Sequence, residues 1–356
     1  MAVAPLIQEP STRAAAANAH WAAVASLIDR AGSLDDLRAH RLQLLAAAIW
    51  QASGRPVPAE LRRDRRYAAT LAIAAPSVLR RARAAYDGRL VLFKGPEVAA
   101  AYPYADARHF RDLDLFADDP YAAQHGLLAA GFVEEQFPGG WPPSRHLCPL
   151  MWPGIPLRIE IHVTPHLPPW LPAPSAEELM ADCVPGRAGI AGVLAPNPSA
   201  HALLLTAHAW AHRPFGRVGD LVDIATILIG EDRSDVAALA RRWGWDAMWR
   251  LTAQSTDALL AGAAPPLPLR LLGRNILQVR DLTVLEFHLQ RVLAPLAAAP
   301  RAAAPTVLAG GLRELGAKCT EEGWRDKLAR SGAALRNARA RKAVHDVSTN
   351  NHPWTR

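Results

Sequence analysis

Two aspartates one residue apart sit in the segment Phe110-Arg111-Asp112-Leu113-Asp114-Leu115-Phe116. On a β-strand successive side chains face opposite sides, so Asp112 and Asp114 share one face while Leu113 and Leu115 share the other. Two carboxylates about 4 Å apart repel by about 4 kcal/mol at an effective dielectric of about 20. A divalent cation reverses that sign. Oxygen ligands of this kind suit Mg²⁺, which keeps several waters and takes substrate phosphates as further ligands. A bare Asp-x-Asp is common, and a strand carrying two solvated acids is the plain alternative.

Two other segments offer complementary chemistry. Lys94-Gly95-Pro96 follows a short apolar run and opens a helix. Free N–H groups at a helix start attract phosphate, and Lys94 adds a point charge. An ordinary strand–helix turn would read the same way. In Arg158-Ile159-Glu160-Ile161-His162, alternation puts Glu160 and His162 on one face and the two isoleucines on the core face. Glu160 beside the aspartates would make a third carboxylate, able to share a metal and deprotonate an acceptor hydroxyl. A Glu and His on a solvent-facing edge strand is the alternative.

His201, His208 and His212 fall in one helical stretch, and His208 and His212 share a face at i, i+4. The glutamate of a His-Glu-x-x-His zinc motif is missing, and packing or surface roles compete with ligation. Arg213 and Arg217 have the reach to meet phosphate, but nothing in the sequence fixes their direction. Trp141, Trp152 and Trp170 offer walls for a pocket or simple packing. There is no Gly-x-x-x-x-Gly-Lys-Ser/Thr loop and no Gly-x-Ser-x-Gly nucleophile motif.

These residues need a sheet to hold them. The first 88 residues read as helices, with Ser33 capping a segment that ends before Gly54. A second helix covers 58–86 with a break or kink at Pro76. Asp87-Gly88 marks a turn. Strands follow at 90–93, 111–116, 132–137, 146–152 and 155–163. A short helix runs to about 101, a helix opened by Asp119-Pro120 ends at Gly131, and 139–143 is a loop. After the proline-rich stretch 165–174, Ser175 and Glu178 form a capping box. Helices are then expected at 197–213, 220–229, 235–243 and 275–293. An Ala/Pro/Gly-rich linker at 297–311, a basic helix and a disordered tail complete the chain. The resulting division is 1–88, 89–166, 167–345 and 346–356.

Composition narrows the function classes. The chain has 356 residues, half of them apolar, and a formal net charge of +7. It can bury a large core. The longest apolar runs are far short of the roughly 20 residues a membrane helix needs, and no secretory signal is apparent. Three scattered cysteines form neither a disulfide framework nor a zinc motif, so a cytoplasmic setting is expected. Basic clusters at 62–66, 80–83 and 325–342 suit solvated helix faces better than nucleic-acid contact, since few aromatics are interleaved with them.

The run Leu92-Phe93-Lys94-Gly95, then Arg108 four residues before Asp112-Leu113-Asp114, then Glu160-Ile161-His162, resembles the uncharacterised nucleotidyltransferase-like family of the polymerase-beta-type superfamily. The stretch with His208, His212 and Asp220-Leu221-Val222-Asp223 resembles that family's C-terminal half. Glu160 stands where the family more often has Asp. Lys-Gly replaces the superfamily's usual Gly-Ser, so a serine contact to the triphosphate is absent.

The resemblance implies an α+β fold, a small mixed-sheet nucleotidyltransferase core embedded between α-helical N- and C-terminal regions. It implies transfer of a nucleoside monophosphate from an NTP to an unidentified acceptor (RNA, protein, peptide or small molecule), with release of pyrophosphate. Asp112, Asp114 and Glu160 would bind Mg²⁺ or Mn²⁺, with Glu160 as base. Lys94, Gly95, Arg108 and His162 would contact the nucleotide, Arg108 alternatively bracing the aspartates. The rival readings are a non-catalytic nucleotide-binding adaptor of the same fold and a basic helical nucleic-acid-binding protein.

Overall fold

Short strands with apolar residues at alternate positions need cover on at least one face, and here both faces of the sheet are covered. A computed structural model describes residues 12–137, 141, 145–272 and 284–316, together with positions 325, 329 and 332. Four helices come first: α1 (Thr12–Asp29), α2 (Leu34–Ala39), α3 (Gln43–Ala52) and α4 (Ala59–Ala85). The sheet region follows with β1 (Leu90–Leu92), α5 (Pro96–Ala99), β2 (Asp112–Ala117), α6 (Pro120–Ala129), β3 (Val133–Glu134), β4 (Leu150–Met151), β5 (Arg158–His162), α7 (Ala176–Ala181), β6 (Val184–Pro185) and β7 (Val193–Ala195). Helices α8 (Pro198–His212), α9 (Val218–Ile227), α10 (Arg233–Arg242), α11 (Asp246–Leu260), α12 (Leu267–Leu272), α13 (Val284–Ala298) and α14 (Ala304–Gly316) complete the described chain. The architecture is α+β, a mixed sheet between helical regions.

The strand order is β3-β4-β5-β2-β1-β7-β6. At its centre β2 runs antiparallel to β1 and parallel to β5, with Asp114 opposite Glu160 and Phe116 opposite His162. One face carries Leu90, Leu92, Leu113, Leu115, Ile159 and Ile161, all packed with Leu71, Val78 and Leu79 of α4 and Leu127 of α6. The other face carries Val91, Phe93 and Phe116, which join the larger helical core with Leu203 of α8 and Val222 of α9. Asp114, Glu160 and His162 share the parity of Phe116, so they stand on this second face.

Several local expectations change. Helix α4 is unbroken through Pro76, because Leu71, Ala75, Val78 and Leu79 are buried on both sides of the proline and hold the axis together. The segment opened by Ser33 is two helices, since Arg41 adopts a left-handed backbone (φ 58°) between α2 and α3. Strands β6 and β7 lie beyond residue 166 yet belong to the same sheet, β7 pairing in parallel with β1. They escape a periodicity reading because they are two and three residues long and one contains Pro185. The expected linker at 297–311 is helical over most of its length in α13 and α14. The expected helix at 275–293 is described only from Val284. Apart from Trp141, the 139–143 loop lies outside the described residues, as do the tail and nearly all of the basic helix.

Candidate active site

Parallel pairing of β2 with β5 is what brings the acids together. Asp114 and Glu160 are register partners, and His162 lies one step diagonally from Asp114. The His162 Nε2–Asp114 Oδ1 distance is 3.0 Å. Ligand atoms of Asp114, Glu160 and His162 all lie within 4.8 Å of one another. Asp112 falls outside that tight set but lines the same cavity of about 930 Å³. Strand β5 is interior rather than an edge, with β4 on its other side, so His162 is buried rather than solvent-facing.

Lys94 follows β1 and reaches the same place. Its Nζ is 3.5 Å from Asp114 Oδ2 and 3.0 Å from His208 Nε2. Its backbone is fixed from below: the buried His201 of α8 donates from Nε2 to the Phe93 carbonyl at 2.6 Å. Gly95 is required at the turn. It has φ 61°, and a Cβ there would come within 2.8 Å of the Asp112 carbonyl oxygen. The helix after it is only one turn, and Pro96 supplies no N–H. It therefore presents fewer free donors to a phosphate than the sequence suggests.

Arg108 holds that turn. Its Nε and Nη2 each donate to the Asp223 carboxylate at 2.8 Å, and Nη1 donates to the Gly95 carbonyl at 3.2 Å. Tyr102 donates its hydroxyl to the same Asp223 at 2.6 Å. The guanidinium thus ties α9 to the Lys94-Gly95 corner; its hydrogen bonds go there rather than to the aspartates.

The acids differ sharply in charge preference. Burial alone would raise Asp114, but the Lys94 ammonium and the His162 hydrogen bond outweigh it and hold this carboxyl well below the usual range. Burial and the neighbouring Asp114 push Asp112 up. Burial, then Asp114 and Asp112, push Glu160 up to about 8. Asp114 Oδ2 is buried with no hydrogen bond among the described residues. Three crowded carboxylates, with Asp114 Oδ2 facing the Lys94 ammonium at 3.5 Å, fit a hard divalent cation.

Sequence reasoning did not single out three further cavity residues. His146, in the loop before β4, places Nε2 3.6 Å from Glu160 Oε2. His166 packs its ring against His208 and His212. Arg41 comes from the α2–α3 corner, which is docked onto α9 where the Gly219 N–H donates to the His40 carbonyl at 2.9 Å. His146 makes an isolated antiparallel bridge with His162, Arg41 is a left-handed break within a segment that reads as helix, and His166 follows β5 in an irregular stretch, so none is singled out by a period. Arg217, at the start of α9, also faces the cavity. Of the tryptophans, Trp141 donates to the His146 carbonyl, whereas Trp152 packs on Phe132 and under Arg81. No helix among the described residues is long and apolar enough to cross a membrane.

No curated protein and no solved structure matches the chain. Residues 28–261, from the end of α1 to the end of α11, match the family described as an uncharacterised nucleotidyltransferase. That span contains every residue of the cavity wall described above, and the chain belongs to this uncharacterised nucleotidyltransferase family.

Proposed function

We propose that the protein transfers a nucleoside monophosphate from an NTP to an acceptor hydroxyl or other nucleophile, with release of pyrophosphate. The observation that carries this reading is the convergence of Asp114, Glu160 and His162, with Asp112 and Lys94 beside them, on the wall of one large cavity. Asp112, Asp114 and Glu160 would hold Mg²⁺ or Mn²⁺, with His162 braced against Asp114. The bound cation supplies charge neutralisation between the carboxylates and the triphosphate.

The remaining work falls to the chain itself. Lys94, held between Asp114 and His208, is the cation nearest the acids and is assigned to the polyphosphate. Arg41 and Arg217 face the same cavity and take the place of the missing serine contact. Glu160, whose raised proton affinity suits a base near neutral pH, takes the acceptor proton as the acceptor oxygen bonds to the α-phosphorus and the bond to pyrophosphate breaks. Gly95 and Arg108 keep Lys94 and Asp112 at a fixed separation. Positioning and charge neutralisation supply most of the rate.

Incubation of the protein with each α-labelled NTP, Mg²⁺ and a cell extract tests this. Label is expected to enter an acceptor with matching pyrophosphate release, and to vanish when Glu160 is replaced by Gln. Nucleotide binding without any pyrophosphate release would favour the adaptor reading instead.

A further inference from the structure

Next to the carboxylates lies a second cluster that the proposed transfer chemistry does not use. His208 and His212 are one turn apart on α8, and His166 reaches them from the segment after β5. The ring centroids are 4.5 Å apart for His208–His212, 4.6 Å for His166–His212 and 5.2 Å for His166–His208. One ring nitrogen from each lies within 4.8 Å of the other two. The side chains of His166 and His212 meet each other and His208 by ring contact, with no side-chain hydrogen bond to another of the described residues. His208 accepts from the Lys94 ammonium at Nε2, and its Nδ1 is buried without a partner.

A neutral imidazole carries one lone pair, so three rings in contact bring three lone pairs together. A packing role does not call for this: an apolar ring in place of His208 would fill the same space without leaving a buried nitrogen unsatisfied. A phosphate clamp does not call for this contact either, because three rings packed this closely would crowd three positive charges together. What three convergent neutral imidazoles do bind well is a borderline transition metal. Imidazole suits Zn²⁺, Cu²⁺, Fe²⁺ and Ni²⁺, whereas Mg²⁺ prefers oxygen. All three rings line the cavity, so a fourth position would open toward it, as in catalytic rather than structural zinc sites.

Asp112, Asp114 and Glu160 face the same cavity as the histidines, together with Lys94, Arg41 and Arg217, and the Lys94 ammonium already sits against the His208 lone pair. We infer that His166, His208 and His212 form a three-histidine site for a zinc-class divalent ion, separate from the carboxylate site. Occupancy would displace Lys94 from His208 and free its ammonium to turn wholly toward Asp114 and the cavity. This inference does not rest on the nucleotidyltransfer reading.

The test uses the full chain with any affinity tag removed, stripped with a chelator and dialysed. Co²⁺ is titrated while its visible d–d absorption is followed, and Zn²⁺ is titrated by calorimetry. One equivalent of Co²⁺ should bind with the intense bands of a four- or five-coordinate nitrogen site. His212→Ala and His166→Gln should each weaken binding about tenfold or more. His212 is exposed at the end of α8, so its replacement should leave the melting curve in place, which separates ligand loss from unfolding. The paired variant Asp112→Asn with Glu160→Gln should keep the Co²⁺ signal. Absence of a stoichiometric Co²⁺ complex would overturn the inference. So would a complex that survives both histidine variants and disappears in the carboxylate variant, since the metal would then sit on the acids. Nucleotide binding in Mg²⁺, measured on the same samples, reports on the carboxylate site independently.

Discussion

Asp114 and Glu160 face each other across two parallel strands, and the protein favours charge on one and a proton on the other. Lys94 and His162 stabilise ionised Asp114, whereas Glu160 is pushed up to about 8 by burial and by the two aspartates. A carboxyl whose folded pKa is raised binds its proton more tightly in the folded state. Its contribution to stability is therefore full below the unfolded value, near 4.5, and is lost as pH rises toward 8. Asp112 acts in the same direction. Buried histidines act at the other end: His166, His201 and His208 have depressed values, so their contribution is lost as pH falls through the ordinary value of 6.5. Above the histidine range, metal-free protein should thus melt at lower temperature at pH 8.5 than at pH 7.5. Glu160→Gln should flatten that alkaline decline. Parallel melting-temperature curves for the variant and the parent would show that Glu160 is not the group responsible.

Metal should change how a polyanion is received. With three carboxylates on the cavity wall, a nucleoside triphosphate meets like charge unless a divalent cation intervenes. Calorimetry with ATP, GTP, CTP and UTP should give affinities at least about tenfold higher in Mg²⁺ than in EDTA. Because Glu160 must lose its proton to ligate, the Mg²⁺ effect should grow between pH 6.5 and 8 and be accompanied by proton release. Equal affinities with and without metal would count against the proposed chemistry.

Much of the site's scaffold was readable because strand alternation is rigid. The parity of Asp112, Asp114, Glu160 and His162 follows from period two, and a parallel β2–β5 pair needs only that both face one side. The capping residues Ser175, Asn197 and Asp119 likewise act through local hydrogen bonds, so their helices begin where the sequence places them. What escaped the sequence depends on long-range docking. Nothing local reveals that Asp223, 115 residues away, captures Arg108, or that His166 and His146 turn toward the same cavity. Strands as short as β6 and β7 carry no period to detect.

The two aspartates should respond differently to neutralisation, although the sequence alone treats them as equivalent polar-face residues. Asp112 is partly exposed, lies outside the tight ligand set, and is pushed up by burial and by Asp114. Asp112→Asn should leave stability unchanged to within about 0.5 kcal/mol or raise it slightly, as repulsion is relieved. Asp114 has a side chain 2% exposed and pairs with both Lys94 and His162. Asp114→Asn strands a mostly buried ammonium, with a cost on the order of 3 kcal/mol. Chemical denaturation of both variants checks this, and label transfer should be lost in each. A tolerant Asp114→Asn would mean that Lys94 relaxes toward Glu160 or the cavity.

Arg108 and Asp223 offer the clearest separation of architecture from chemistry. Both side chains are 11% exposed, and they meet in a bidentate pair that Tyr102 and the Gly95 carbonyl complete. Removing one partner leaves the other charge buried and uncompensated, a loss of roughly 3–5 kcal/mol. Arg108→Met alone and Asp223→Leu alone should therefore each lower the urea midpoint strongly. The double replacement should cost clearly less than the sum of the two, because both charges leave together and an apolar pair fills a mostly dry site. Nucleotide binding should also weaken in the double variant even where the fold is retained. Arg108 anchors the Gly95 carbonyl, and its loss frees the turn that holds Lys94 against Asp114. If the double variant instead bound Mg²⁺-nucleotide as the parent does, the Arg108–Asp223 pair would be serving stability alone, and Lys94 would be held in place by His201 and the strand beneath it.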